Sequence, residues 1–569
     1  LFSYAQYFFI PNKLSFKSTL GINFRYSKNN TFEPIITQNP NSPIPRGAED
    51  NRLRYDIQQE NFVNYRDDFG KHSLSAFAGM QIQKYWDEEF DVSARFVSDA
   101  IQTFNNIDPT TFSLDVGQNS RNNLFSLFGG INYDFDDKYL LGATLRRDGS
   151  SRFGDNNEYG YFPSVSLGWR LSKEGFMENV SFIDNLLISA TYGETGNERV
   201  GDYEFTGAYL PGFIYNGVSG VAPTRLGNPD LSWESTASTN LGMELNMLQR
   251  RLNFNVDFWR KETTDLLASV PLPEETGFSG IRQNVGAIEN EGIDLSLSGT
   301  LIRTDKFSWN SSFNITFLRN KVLKLAGGTS FESGQYLIEE GEPLGNIYGF
   351  KNLGIYQYDE SNAYTPEGVR LTPNFDSGGT FVNYTLDGQD YTGTVNQLRN
   401  AGRPLQGGDI IWDDIDGDFD ITTTDRQVIG NGVATTFGGF SNDFRYGNFG
   451  MSFLFDYNFG NDIYRRYDEA RNDLNSSNET PGPDRINNAW LEQGDITVYP
   501  RLNRVPQNRE RPNSFFVTPG DYIKLRFVRF TYDMPKTAID QIGVFKAMSF
   551  NLSFNNLATW TNYIGYNPE

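Results

Sequence analysis

Between Gln249 and Asn320 the sequence alternates, residue by residue, between apolar and polar side chains. Leu252, Phe254, Val256 and Phe258 are interleaved with Asn253, Asn255, Asp257 and Trp259. Ile293, Leu295 and Leu297 are interleaved with Asp294, Ser296 and Ser298, and Phe307, Trp309, Phe313, Ile315 and Phe317 with Ser308, Asn310, Ser312, Asn314 and Thr316. Successive side chains of an extended chain point to opposite faces, so a period of two makes strands with one apolar and one polar face. Only Thr304-Asp305-Lys306 joins the last two strands, whereas a long polar stretch separates the first two. Amphipathic strands of about ten residues, joined by short and long connections in turn, describe a transmembrane antiparallel β-barrel.

Composition narrows the alternatives. No stretch approaches the roughly 18 apolar residues of a membrane-spanning helix, so a helical membrane protein is excluded. A barrel is not, because only alternate residues of its strands meet lipid. Aromatic residues make up 15% of the chain, including 47 Phe and 30 Tyr, which suits a lipid-facing band with aromatic girdles. The absence of cysteine removes disulfide, thiolate and zinc–thiolate chemistry. His72, the one histidine, leaves no room for a histidine-based metal or catalytic cluster. A net charge of -22 argues against nucleic acid as a partner. The chain opens at Leu1 without a recognisable signal peptide and reads as an internal segment or a trimmed mature form.

The same rhythm runs along the whole chain. Strands are expected at Phe2–Phe9 and from Leu14 to Tyr26, with a polar loop over about 29–50. Strands at Asn51–Tyr65 and His72–Tyr85 meet across Asp67-Asp68-Phe69-Gly70, and a long loop runs to Ser120. Asp136-Asp137-Lys138 turns one strand into the next. Further strands are expected at Tyr159–Leu171, Asn185–Thr191 and Trp233–Met247, separated by Ser172–Asp184 and the long Thr195–Asp230. The longest insertion is Lys321–Val433. After it come strands at Thr435–Tyr446, Asn448–Phe459, Tyr522–Tyr532 and Met548–Asn555. This gives roughly sixteen strands with short periplasmic turns and long extracellular loops. A soluble sandwich or propeller has shorter strands and no such alternation.

Several stretches carry a family resemblance. They are Leu145–Met177 (LRRDGSSRFGDNNEYGYFPSVSLGWRLSKEGFM), Ile188–Tyr203, Asn228–Leu245, Asn284–Thr300, Gly341–Gln357, Gly408–Asn431 and Asn555–Glu569. In order and spacing they resemble the SusC-like (RagA-type) branch of TonB-dependent outer-membrane transporters of Bacteroidetes-type bacteria. The resemblance implies a barrel of 22 strands with an N-terminal plug, of which this chain holds about strands 6 to 21. It implies that the plug, any TonB-contacting segment and the closing strand lie outside these residues. It also implies import of a bulky nutrient, an oligosaccharide or a peptide, with a SusD-like surface lipoprotein docked on the extracellular loops. TonB would act through the missing N-terminal region. Lipid bilayer and lipopolysaccharide would surround the wall. The alternative is a SusC-like barrel serving as a structural subunit of a larger outer-membrane assembly or secretion machine, in contact with other outer-membrane proteins.

The sharpest local motif is Asp414-Ile415-Asp416-Gly417-Asp418-Phe419-Asp420-Ile421-Thr422-Thr423-Thr424-Asp425. It follows the calcium-loop pattern, with carboxylates at positions 1, 3, 5 and 12 and an apolar residue at 8. Asp414, Asp416 and Asp418 are expected as side-chain ligands of a structural Ca²⁺ or Mg²⁺. Asp420 would offer its carbonyl, Thr422 a hydroxyl or a bound water, and Asp425 the last carboxylate. Two departures count against it. Asp425 is shorter than the usual Glu, and Phe419 stands where glycine makes the sharp turn. The plainer reading is a solvated acidic loop.

Other motifs read more simply. Arg147–Gly154 and Gly193–Asn197 are strand ends first and ligand-contacting loops second. Asn253, Asn255 and Asp257 line either a solute path or a plug contact. Tyr209, Phe213, Tyr215, Tyr356, Tyr358, Tyr364 and Tyr384 are expected as exposed loop aromatics able to stack on sugar rings. No catalytic site is expected. A single histidine cannot build a nucleophile–base pair, and neither Glu274-Glu275 nor Glu339-Glu340 is spaced for glycoside hydrolysis. No organic cofactor is expected, because no phosphate-binding glycine loop leads from a strand into a helix.

Overall fold

The structure, a computed structural model, describes residues 1–35, 44–103, 106–117, 119–154, 156–472, 482–502 and 511–568. It falls into two compact units. One comprises Leu1–Gln249 with Asp257–Glu289, the other Arg250–Val256 with Asn290–Glu569. Among the described residues seventeen strands are of the ladder type, sixteen long ones and the short Ser113–Val116.

The first unit is an antiparallel meander. Its strands are β1 (Phe2–Ile10), β2 (Leu14–Glu33), β3 (Arg46–Phe69), β4 (His72–Arg95), β5 (Ser120–Phe135), β6 (Tyr139–Ser150), β7 (Tyr159–Arg170), β8 (Ile183–Asn197) and β9 (Glu234–Met247). Each pairs with the next. Residues 11–13, 70–71 and 136–138 make tight turns at one end, whereas 96–119 and 198–233 are long connections at the other. In the turn after β5, Asp136 and Asp137 sit at φ 58° and 55°, a left-handed backbone that Asp tolerates better than most residues.

Register shows why these strands form a wall. Tyr133, Leu141, Leu167, Ala190 and Leu241 stand side by side across β5 to β9. Leu167 and Leu241 are 53% and 55% exposed, an apolar belt that water would not tolerate and lipid would. The opposite face is polar, and there the Thr144 and Ser164 hydroxyls are 2.6 Å apart. Aromatic rings mark both borders. Phe24, Tyr55 and Trp86 form one rank, with centroids 5.2 and 6.5 Å apart. At the turn end His72 packs between Phe69 and Phe135 at 5.2 and 5.0 Å. The span from His72 to Trp86, at about 3.3 Å per residue and a tilt of about 45°, is roughly 33 Å, close to the hydrocarbon thickness of a bilayer.

Three strands are longer than expected. β2, β3 and β4 have 20, 24 and 24 residues, and pairing continues to Arg46↔Arg95. A transmembrane strand needs about 9–11 residues. The surplus lies at the long-connection end, over residues expected from the sequence to be loop. There Asp50 and Arg52 on β3 face Asp91 and Glu89 on β4, so the hydrophobic alternation fades while the backbone ladder persists.

β10 (Leu252–Thr264) and β11 (Ala287–Arg303) each contribute residues to both units. The second unit continues with β12 (Phe307–Lys324), β13 (Thr436–Tyr446), β14 (Phe449–Phe459), β15 (Tyr522–Asp533) and β16 (Ser549–Thr561). From β12 onward each again pairs antiparallel with the next. Its turns are 304–306 and 447–448, and a connection from 534 to 548 contains helix α1 (Lys536–Ile542). Its long connections, 325–435 and 460–521, carry small sheets of their own.

Candidate functional site

The two long connections of the second unit build one folded body. Asn346–Phe350 pairs with Arg426–Asn431, and Asn352–Ile355 with Ile410–Trp412. Ile410, Ile411 and Trp412 are an unbroken apolar run, which buries on both sides. They pack with Phe350, Ile355, Tyr356, Tyr364, Leu398, Leu405 and Ile421, and Trp490 from the other connection packs against this core. A buried amide ties it together: the Asn362 side chain donates to the carbonyls of Leu398 and Leu405 and accepts from Leu398 N–H, all at 2.8 Å. Arg501 reaches across from the second connection to both oxygens of Asp409, at 2.8 and 3.0 Å. Burial pushes the Asp409 carboxyl up, while the Gln406 N–H and Arg501 pull it back.

This corrects one expectation. Tyr356 and Tyr364 are core residues, 0% and 8% exposed, with hydroxyls 2.7 Å apart. They are not free to stack on a sugar. Tyr358 packs on Phe375 at 4.4 Å and Tyr384 on Phe381 at 4.8 Å. Tyr209 and Phe213 are exposed, on a hairpin formed by Ala208–Tyr215 and Val218–Arg225. The side chain of Tyr215 lies outside the described residues.

The acidic loop sits on the surface of this body. Carboxylate oxygens of Asp414, Asp416 and Asp418 lie within 4.8 Å of one another. Asp414 accepts from the Gly417 and Phe419 amides at 3.0 and 3.1 Å, and Asp418 from the Asp420 amide at 2.7 Å. Asp416 accepts from the Thr424 hydroxyl at 2.7 Å. Partial burial raises the Asp414 carboxyl, and the charges of Asp425 and Asp416 add to that. The Thr424 hydroxyl lowers Asp416. Phe419 takes the left-handed backbone at φ 64° that glycine would take, and its ring packs on the apolar core, offsetting the strain. Asp425 is wholly buried, and its two oxygens accept from Ile415 and Thr422 amides at 2.9 and 2.8 Å. The Thr422 hydroxyl accepts from the Thr424 amide at 3.2 Å, and Asp420 is half-buried in a two-residue bridge to Arg399–Asn400. The structure thus brings three of the six expected ligands to one point. Asp425 and Thr422 brace the loop.

In the first unit, the polar face of β3 to β6 is filled by paired charges. Arg52 and Arg54 both bind Asp87, at 2.5 and 3.0 Å, and Arg146 binds Asp148 at 2.8 Å. Where this face meets the long connections, Gln83, Tyr85, Ser120, Asn122, Arg152 and Asp202 line a cleft of about 410 Å³. Asp202 anchors residues 198–207: Ser120 donates to it, as do Arg152 at 2.7 Å and Asn122 at 3.3 Å. Of this clasp the sequence marked only the stretch that holds Arg152, because its partners lie 50 to 82 residues from Asp202 along the chain. The strand end at Gly193–Asn197 is shaped by packing: a Cβ at Gly196 would lie 2.0 Å from the Phe162 ring. In the second unit Asn255 donates to Ser296 at 3.2 Å on the polar face.

With this geometry in hand, known proteins can be compared. Residues 2–348 match the family described as TonB dependent receptor-like, beta-barrel. TonB-dependent receptor P39 of Formosa agariphila is 48% identical over 573 residues, which cover 100% of this chain and 55% of that protein. SusC of Bacteroides thetaiotaomicron is 32% identical over 308 residues, 49% of this chain and 30% of SusC. The chain therefore spans about half the length of the curated relatives it matches. Among solved structures, the RagAB peptide transporter is similar with a TM-score of 0.81 at 23% identity, over 100% of this chain and 58% of that one, a likeness of fold. Paired strands, exposed apolar belt, aromatic borders and sequence similarity along this chain agree: it belongs to the TonB-dependent receptor family of outer-membrane β-barrels, in its SusC-like branch.

Proposed function

We propose that this barrel belongs to a nutrient importer of the outer membrane. A bulky polar solute, an oligosaccharide or a peptide, enters among the long connections and moves along the polar strand faces. TonB drives the passage through a region outside this chain. A SusD-like surface lipoprotein seats on the long connections. The observation that carries this reading is the folded body formed by the described residues of 325–435 and 460–521. Connections of such length with a shared core are built for a task, and a rigid platform suits a docking partner. The similarity to SusC and to P39 supports it.

We further propose that Asp414, Asp416 and Asp418 hold a Ca²⁺ or Mg²⁺ that stiffens this platform. Three carboxylates so close repel one another unless a cation lies among them. The cation's part is structural.

Gentle detergent extraction of the native protein, followed by mass spectrometry of what co-purifies, tests the importer. One SusD-like lipoprotein in equal amount supports it. A reproducible set of secretion or assembly proteins without that lipoprotein would replace it with a structural-subunit role.

A further inference from the structure

Residues 198–207 leave the end of β8 and cross the polar face of the first unit. Glu198 and Asp202 of this strap, with Tyr85 of β4 and Ser120 and Asn122 of β5, line the cleft of about 410 Å³. The ties between strap and strands converge on one carboxylate. Ser120, Asn122 and Arg152 all donate to Asp202, the last two at 3.3 and 2.7 Å. Arg152 reaches on to the carbonyl and the carboxylate of Glu198 at 3.4 and 3.5 Å.

The residue after Asp202 is strained. Tyr203 holds φ 62°, the left-handed backbone that a bulky side chain avoids. Phe419 takes the same backbone, but its ring packs on an apolar core, whereas Tyr203 is 44% exposed. The Thr206 amide and the Arg225 guanidinium donate to the Tyr203 carbonyl at 3.1 and 2.9 Å, and Arg282 meets Glu204 at 3.2 Å. On the other side of the clasp, Val200 is buried with Phe153 and Leu231. A residue stays in so costly a conformation only where its surroundings impose it, and such residues collect in parts that bind or move.

Asp202 is where that strain is held against the strands. The three donors it uses border a polar cleft, and a solute rich in hydroxyl or carbonyl oxygens offers them other acceptors. A solute shifts an equilibrium only if it binds one state better than the other. Here the closed state keeps the donors occupied and the open state frees them. We infer that 198–207 is a spring-loaded strap, latched by Asp202 over the polar face of β4 and β5, which lifts when a polar solute takes the place of the Asp202 carboxylate. The solute's part rests on the importer reading; the latch rests on Asp202 and Tyr203.

The test uses the full-length protein in mild detergent, with Val200→Cys as the reporter in a chain that has no cysteine of its own. Heat-modifiable electrophoretic mobility verifies that each variant is folded. Maleimide should label Val200→Cys slowly, and about tenfold faster once Asp202→Ala is added. Adding Tyr203→Gly to that pair removes the strain and should slow labelling again by about threefold, whereas a glycine in a static brace would loosen it and speed labelling. Equal rates with and without Asp202→Ala overturn the latch, and faster labelling with Tyr203→Gly overturns the spring. Passage is tested in cells with Ser120→Cys/Asp202→Cys, whose disulfide ties the strap down. They are grown on those members of a panel of maltooligosaccharides, xylooligosaccharides and casein peptides that wild type uses and the deletion strain does not. Growth in reductant and none after oxidation is the expected result; growth in both states, or in neither, overturns a strap that lifts for the solute. If wild type uses no member of the panel that the deletion strain lacks, that counts against the importer reading, and the labelling rates alone judge the latch.

Discussion

The strand wall of β5 to β9 and the body built from the long connections use the same aromatic and aliphatic residues in opposite ways. In the wall, Leu145, Leu167 and Leu241 are more than half exposed. In the body, Tyr356, Trp412 and Leu405 are 0%, 1% and 1% exposed. The wall keeps its paired charges, such as Arg146 with Asp148, on its polar face; the body keeps Arg501 and Asp409 at the edge of its core. The difference teaches that burial is defined by the solvent. Water surrounds the body, so it folds like a small soluble protein. Lipid surrounds the wall, so its apolar side is turned out and its stability rests on the backbone ladder.

If that contrast is right, damage to one region should leave the other standing. Trp412→Ala empties a closed core and should cost the loop body about 3–5 kcal/mol. Limited proteolysis should then cut within 325–435 while heat-modifiable mobility of the barrel is unchanged; simultaneous loss of both would break the comparison. Leu167→Arg, on the belt, should cost about 2–4 kcal/mol in urea unfolding from liposomes. Ser166→Arg, one residue away on the polar face, should cost far less, and equal costs would deny that the belt meets lipid. Asn362→Ala strips three hydrogen bonds from buried backbone groups and should cost the loop body about 1–3 kcal/mol. Its readout is again proteolysis of the insertion rather than barrel mobility.

The smallest effect is at Asp202. Burial pushes its carboxyl up, yet the hydrogen bonds from Ser120, Arg152 and Asn122 outweigh this and leave it below its ordinary 3.8. Its contribution is therefore present above that value and fades as the pH falls through the lower folded one. Protease access to 198–207 should rise only in that acid window. Asp202→Asn should lose the pH dependence.

Much of the wall was legible because period two is a local signal. Phe307, Trp309 and Phe313 announce a strand without any knowledge of its neighbours. The ends of β3 and β4 were not legible, since Glu49, Arg52, Asp87 and Glu89 make both faces polar once the strand leaves the membrane. The loop body was misread at Tyr356 and Tyr364. A tyrosine in a long polar connection looks exposed, and only the run Ile410-Ile411-Trp412 hinted at a core to cover it. Of the acidic loop, the spacing told which carboxylates converge. It did not tell that Asp425 would be spent on the Ile415 and Thr422 amides, because that depends on the backbone path.

The most direct test of the two-solvent account is accessibility on intact cells, and a chain without cysteine suits it. Single substitutions Val382→Cys, in the loop body, and Lys71→Cys, in the turn between β3 and β4, would be probed with a membrane-impermeant maleimide. The account predicts labelling of Val382→Cys on intact cells and of Lys71→Cys only after the outer membrane is opened. Labelling of both on intact cells, or of Lys71→Cys alone, would contradict a wall that spans the membrane with its long connections outside.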